Sequence, residues 1–234
     1  MKREFYFQDD RSNKFWTIEL LDCKIVSRNG RAGATPRETY KTFEEQADAQ
    51  REFEKQIAAK LKAGYLEGVA PTYQKPDWSS MTMSDELFWR IIALFNWKKS
   101  GDDEAVIEPA VKALAQMAPE NIKAFEDILA AKLYALDTEA HAREIGDEAY
   151  QPGRHFSSDW FLYERCCVIA NGSAFYESVL SEPKKMPKDT EFETILLIAG
   201  LAYERRTGEK IDHTSPVSYE TFANKLGWQG VNDA

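Results

Sequence analysis

The first seventy residues alternate apolar and polar side chains in short runs, the pattern of β-strands with one buried face. In the second of these runs, Trp16, Ile18 and Leu20 lie on one face of the strand, and the residues on the other face include polar and charged ones. The runs cover residues 3–9, 14–21, 24–28 and 39–43. We therefore predict a small antiparallel sheet of four or five strands at the start of the chain.

A helical period follows the predicted sheet. Within residues 44–63 and just beyond, apolar residues recur at four-residue spacing between charged side chains: Phe53, Ile57, Leu61 and Tyr65. This spacing predicts an amphipathic helix, and Gly64 is the expected residue to end it. We expect the helix to lie across one face of the sheet.

The pattern changes after a stretch rich in proline, glycine and polar residues at 67–83, which we interpret as a linker. Beyond it only helical periods appear. Thr82–Asp85 fits a capping box, and Pro119 suits the first position of a later helix. The predicted fold class is α+β: a sheet with one packed helix at 1–66, then an all-α domain of six or seven helices at 84–234.

Charge is unevenly distributed along the chain, whose net charge is −9. Residues 1–75 hold 14 basic and 12 acidic side chains, and the remainder holds 16 basic and 27 acidic ones. Residues 24–41 concentrate basic side chains: Lys24, Arg28, Arg31, Arg37 and Lys41. The acidic balance excludes nucleic-acid binding by the whole surface, while a local basic strip remains able to bind phosphate.

Composition also limits location and cofactors. No apolar run reaches the length of a membrane-spanning helix, and the N-terminus lacks a signal-peptide pattern, so we expect a cytoplasmic protein without a membrane partner. Cys23, Cys166 and Cys167 show no metal-ligand spacing, and the histidines are equally unpatterned. We expect reduced, structural cysteines, no metal and no cofactor.

The first part of the chain resembles the WGR domain, the nucleic-acid-associated module of poly(ADP-ribose) polymerases and of bacterial regulator-like proteins. The resemblance covers residues 3–65 and rests on the stretches NKFWTIELLDCKIVSRNGRAG, TYKTF and FEKQIAAKLKAGY. The family is named for Trp-Gly-Arg, and Asn29 stands at the first of these positions, before Gly30 and Arg31. The resemblance places them along a strand, with the reversal near Gly33–Ala34, whereas Asn29-Gly30 alone predicts a tight turn.

The resemblance also implies a nucleic-acid site. In the polymerase members the DNA-facing residues are an Asn-Lys pair, the named Trp and Arg, and a Tyr that closes the helix. The matching positions here are Asn13, Lys14, Asn29, Arg31 and Tyr65, and Arg28 from the same basic segment is added to them as a candidate contact. Arginine binds phosphate in bidentate fashion and lysine adds a point charge, while Asn29 donates a hydrogen bond but has no aromatic face.

Two structural explanations compete with this site. Gly30 permits close packing of its neighbours, and Arg31 is able to pair with Glu38 or to reach the second domain. Neither explanation involves a nucleic acid.

The second part of the chain resembles a bacterial helical domain of unknown function found after WGR modules. The resemblance rests on FWRII, LFNW, FEDILAAKLYALD, SDWFLYERCCVIANGSAFYESVL and FETILLIAGLAYERRTG. That family offers no activity to carry over.

Residues 155–165 form the densest cluster of functional groups in the helical part. Helical spacing brings Asp159 beside Tyr163, and Asp137 shares a helix face with His141. The residues of a possible pocket are Asp137, Asp159, Tyr163 and Arg165. The structural alternative for Asp159 is a carboxylate that complements a helix start. No catalytic triad, carboxylate pair or phosphate-binding glycine loop appears, so we assign no catalytic residue.

These observations favour a non-enzymatic bacterial protein whose WGR-like module binds DNA or RNA, at duplex ends or along the phosphate backbone, with a regulatory role. The alternative is a protein–protein adaptor whose WGR-like sheet docks on the helical domain or on a partner. A third hypothesis, an enzyme with a pocket in the helical domain, has the least support.

Overall fold

The computed structural model describes residues 1–9, 12–31, 34–68 and 76–229. The chain forms two compact units, Met1–Pro76 and Asp77–Ala234. Residues 69–75 of the linker predicted at 67–83, and Gly33 of the predicted chain reversal, lie outside the described residues.

Five antiparallel strands form the sheet of the first unit in the order β4-β3-β2-β1-β5. They are β1 (Lys2–Gln8), β2 (Asn13–Leu21), β3 (Lys24–Arg31), β4 (Arg37–Thr42) and β5 (Leu66–Glu67). Strand β3 continues through Asn29 and Gly30 to Arg31, which confirms the strand placement and excludes a tight turn at this dipeptide.

One face of the sheet carries the core of this unit. Residues paired across antiparallel strands project from the same side, and side chains alternate along each strand. Phe5 pairs with Trp16, and their ring centroids are 5.3 Å apart. The other buried strand residues of this core are Ile18, Leu20 and Ile25. The alternation predicted for residues 14–21 is confirmed.

Helix α1 (Gln46–Lys62) covers this face and buries Ala49, Phe53 and Ile57 against it. Leu61, which the sequence placed in the same apolar stripe, is 46% exposed. A four-residue repeat drifts away from the core because the helix turns every 3.6 residues. Gly64 adopts a left-handed φ of 83° and ends the helix, with the N–H of Tyr65 donating to the Lys60 carbonyl at 3.0 Å. We call this face of the sheet the helix-side face.

The second unit is helical, as predicted. Its α-helices within the described residues are α2 (Asp85–Ile92), α3 (Asp103–Leu114), α4 (Pro119–Leu136), α5 (Glu139–Ala142), α6 (Ser158–Ala170), α7 (Ser173–Ser181) and α8 (Ile198–Thr207). Their apolar faces meet in one continuous core. No helix in the described part of the chain is long and apolar enough to cross a lipid bilayer.

Two helix starts test the predicted capping signals. Pro119 occupies the first turn of α4, as expected. Helix α2 is capped by Ser84 and not by Thr82, because the Ser84 hydroxyl accepts the N–H of Leu87 at 3.2 Å. The helix therefore begins two residues later than the capping box requires.

The three cysteines are free thiols. Cys166 and Cys167 are buried on α6, and burial raises the pKa of the Cys167 thiol to about 11. A thiol with that pKa is protonated and unreactive at neutral pH. Their place in the apolar core agrees with the structural role expected for them.

Candidate nucleic-acid interface

Strand register brings polar residues together on the helix-side face, next to the apolar core. Lys14 lies two residues before Trp16 on β2 and pairs with Arg31 of β3. Asn29 pairs with Trp16 on one side and with Arg37 of β4 on the other. These four polar residues are exposed. Together with two residues from the end of α1 they form what we call the basic face: Lys14, Asn29, Arg31, Arg37, Lys60 and Tyr65.

Aromatic rings position the two lysines of the basic face. The Lys14 ammonium lies 5.6 Å from the centre of the Phe7 ring, and Phe7 packs on Tyr65 with 5.6 Å between centroids. The Lys60 ammonium lies 4.7 Å from the Tyr65 ring and 5.4 Å from Trp16. Such contacts contribute about 0.5–1 kcal/mol at exposed sites and leave the positive charge unneutralised.

The strand cations of the basic face have no acidic partner among the described residues. Lys14, Arg31 and Arg37 form no ion pair with any residue in the described ranges. Lys14 and Arg31 also stand directly opposite each other, and like charges in that position destabilise a sheet. An anion bound between them would relieve this repulsion.

The remaining two predicted residues lie on the opposite face of the sheet. Arg28 pairs in register with Glu38, donates from Nε to the Glu38 carboxylate at 2.6 Å, and lies 4.0 Å from Glu19. The pairing of Arg31 with Glu38 considered from the sequence is therefore wrong, because the two residues project from different faces. Asn13 also projects away from the basic face, and its buried Oδ1 receives no hydrogen bond from the described residues.

The glycine of the Trp-Gly-Arg position has a packing role. Gly30 pairs with Phe15, and a Cβ at Gly30 would lie 3.2 Å from the Phe15 ring. The ring therefore rests on the bare glycine backbone. This agrees with the close-packing explanation for Gly30 and does not affect the basic face, which lies on the other side.

Sequence reasoning missed two members of this face. Arg37 was counted in the basic strip and Lys60 in the predicted helix, but neither was assigned to the site. Arg37 joins the face through the strand register that sets it opposite Asn29. Lys60 lies one turn before the glycine that returns Tyr65 to the sheet.

The helical unit separates the four residues of the predicted pocket. Asp137 and Arg165 are fully buried, whereas Asp159 is exposed and Tyr163 is half-buried. Asp159 lies in the first turn of α6, where its charge complements the helix dipole, as its structural alternative proposed. The four residues therefore do not line a common pocket, and Asp137 and Arg165 belong to the core.

Burial dominates the electrostatics of these core groups. It lowers the pKa of the Arg165 guanidinium to about 10, and the Asp137 carboxylate acts in the opposite direction. His141 lies on α5, separate from Asp137 at the end of α4, so the predicted face pair does not form. Its Nε2 donates to the Val179 carbonyl at 3.2 Å, and burial lowers its pKa. His141 is therefore a neutral core histidine.

Comparison with known families matches both units. A family model described as the WGR domain matches residues 1–71, and WGR domains are a family of nucleic-acid-binding modules. A second model, described as a protein of unknown function (DUF4240), matches residues 83–205, just over half of the 234 residues.

Two individual proteins are similar to the chain over part of its length. The uncharacterized protein YfeS of Escherichia coli (strain K12) is 36% identical over 67 residues, which are 29% of this chain and 28% of YfeS. The chain thus spans under a third of that relative. A crystal structure of a Bacteroides fragilis protein matches 30% of this chain and 20% of its own at 36% identity, with a TM-score of 0.29.

Proposed function

The chain belongs to the DUF4240 family of proteins of unknown function and carries a WGR domain in front of that region. From this premise we propose that the WGR domain binds the phosphate backbone of a nucleic acid through the basic face. The observation that carries the proposal is the juxtaposition of Lys14, Arg31 and Arg37, exposed and without acidic partners among the described residues. A bound anion would relieve the repulsion between neighbouring cations of this group.

The chemistry of the basic face suits a phosphate bound beside a sugar or base. Arg31 and Arg37 present guanidinium groups that bind phosphate oxygens in bidentate fashion, and Lys14 adds a compact charge beside Arg31. The Tyr65 ring, fixed against Phe7, offers a surface on which the sugar or terminal base of a duplex end packs.

Asn29 sets the strength of this interaction. Stacking of a base on an aromatic side chain contributes about 1–3 kcal/mol. Asparagine hydrogen-bonds to a phosphate but cannot stack, so binding is about tenfold or more weaker than with tryptophan at this position. The acidic residues that dominate the sequence after residue 75 further reduce long-range attraction. We therefore expect phosphate contacts to supply most of the affinity.

Replacing Arg31 with alanine tests the proposal against a matched control. Each phosphate contact contributes about eightfold to affinity at roughly 0.1 M salt, as expected for counterion release from duplex DNA. Arg31→Ala should therefore weaken binding of a fluorescent duplex with 5′-phosphate ends by about that factor. Arg28→Ala removes the same charge from the neighbouring pleat of β3, where Glu38 already neutralises it, and should change the affinity less than twofold.

Equal losses in the two variants would show that only net charge matters, and no binding by the wild type at low salt would remove the proposed function. The absence of binding would favour the adaptor alternative.

A further inference from the structure

The last described part of the chain crosses the helical unit as an irregular segment. Residues 209–229 contain no α-helix, only a short 3₁₀ turn at Lys225–Trp228. The portion at Tyr219–Trp228, which we call the strap, lies against the end of α4, the start of α6 and the residues around α5. It lies outside the residues matched by the DUF4240 model, which end at 205.

The fully buried Asp137 carboxylate receives three hydrogen bonds from the strap. One oxygen accepts the N–H of Phe222 at 3.1 Å and the indole N–H of Trp228 at 2.9 Å, and the other accepts the N–H of Asn224 at 2.9 Å. A buried carboxylate is stable only when such donors satisfy it. Asp137 therefore recognises both the backbone and one side chain of the strap.

Arg165 and two backbone carbonyls complete the polar recognition. The Arg165 guanidinium donates to the Thr221 hydroxyl at 2.9 Å, and this hydroxyl in turn donates to the Ser158 carbonyl at 2.7 Å. The Asn224 amide donates to the Tyr134 carbonyl at 3.1 Å. Arg165 Nε is fully buried, and no hydrogen-bond partner is found for it among the described residues.

The end of the strap is held by an aromatic pocket and by the close approach of its backbone to the ends of two helices. Trp228 is 5% exposed and packs on three aromatic residues of the unit: Tyr150, Phe156 and Phe161. Before it, Gly227 passes so close to α4 and α5 that a Cβ would lie 2.7–2.9 Å from Thr138 and the Asp137 carbonyl. Only glycine fits at that point, so the groove selects a Gly-Trp pair.

These contacts are of the kinds that a peptide receptor makes with its ligand. A carboxylate accepts backbone N–H groups, a guanidinium donates to a hydroxyl, and an aromatic pocket holds an indole. The receptor side lies within the matched DUF4240 region, and the occupant lies outside it. We propose that this groove is a peptide-binding site and that the strap is its resident, displaceable occupant. Its ligand class is an irregular chain segment that carries a Thr-Phe-x-Asn-x-x-Gly-Trp pattern, supplied in cis by this chain.

Peptide binding to an opened groove tests the inference. The full-length variant Trp228→Ala empties the aromatic pocket, and the probe is a labelled peptide of residues 218–229, SYETFANKLGWQ. The peptide should bind this variant at least tenfold more tightly than the wild type, whose tethered strap competes at high effective concentration. Trp97→Ala, which removes a half-exposed tryptophan of the same unit, should leave the wild-type affinity unchanged.

Two control peptides define the specificity. Replacing the tryptophan or the preceding glycine of the peptide with alanine should each abolish measurable binding. Equal binding of all three peptides, or equal binding to wild type and Trp228→Ala, would overturn the proposal.

Hydrogen exchange on the wild-type chain gives an independent answer if Trp228→Ala does not fold. A displaceable strap predicts that the amides of Phe222 and Asn224 exchange through a local opening, at least tenfold faster than core amides such as that of Leu129 in α4. Exchange of both sets at one common rate would mean that the strap leaves only when the unit unfolds, and the proposal would then be wrong. Neither experiment depends on nucleic-acid binding.

Discussion

Replacing Asp137 with alanine should lower the unfolding free energy of the helical unit by about 3–5 kcal/mol. The carboxylate is fully buried, satisfies three donors of the strap and compensates the charge of Arg165. Its removal takes away the carboxylate that most strongly offsets the buried Arg165 charge, and it leaves the strap donors without their acceptor. Urea unfolding followed by tryptophan fluorescence measures the effect, since all tryptophans except Trp16 lie in this unit.

The control for this prediction is Asp159→Ala. Asp159 was grouped with Asp137 from the sequence, yet it is exposed in the first turn of α6. Its removal should cost no more than about 0.5 kcal/mol. A loss below about 1 kcal/mol for Asp137→Ala, or equal losses for the two variants, would contradict the role assigned to the buried carboxylate.

Removing the three strand cations of the basic face should weaken nucleic-acid binding about 10²–10³-fold at roughly 0.1 M salt. The variant is Lys14→Ala, Arg31→Ala and Arg37→Ala. The estimate follows from about eightfold for each lost phosphate contact. Fluorescence anisotropy with a 5′-phosphorylated duplex measures the loss.

The opposite face of the same sheet provides a control with the same change in net charge. Lys2, Lys24 and Arg28 project from that face, and each is engaged within the chain: with Glu4, with the Tyr40 ring and with Glu38, respectively. Replacing all three with alanine should reduce affinity less than threefold, because no phosphate contact is lost. Equal effects from the two triple variants would show that the basic face is not the binding surface.

Much of the first unit was predictable from local pattern. The alternation through Trp16, Ile18 and Leu20 located β2 and its buried side, and Gly64 marked the end of α1. The family motif placed Asn13 at the site, and Arg28 was added from the basic segment that also contains Arg31. Because side chains alternate along a strand, both residues project from the opposite face of the sheet. Their face can be assigned only when the strand register is known.

The helical unit shows a different limit of sequence reasoning. The sequence placed Asp137 and His141 on one helix face, but α4 ends at Leu136. The hydrogen-bond donors that Asp137 binds in the strap lie 85 to 91 residues later in the chain. Such contacts leave no periodic signal, because an irregular segment has neither the helical nor the strand period. The strap around Trp228 was therefore not foreseen, and Arg165 was grouped with Asp159 and Tyr163, whereas it is buried and contacts Thr221 of the strap.

The salt dependence of binding tests the central claim most directly. Association constants for a 5′-phosphorylated duplex would be measured from about 0.05 to 0.2 M salt for the wild type and for the triple variant of the basic face. Three phosphate contacts predict a wild-type slope of log K against log salt near about −2.7, and a slope close to zero after Lys14, Arg31 and Arg37 are replaced. A wild-type slope near zero, or the same slope in both proteins, would contradict the account.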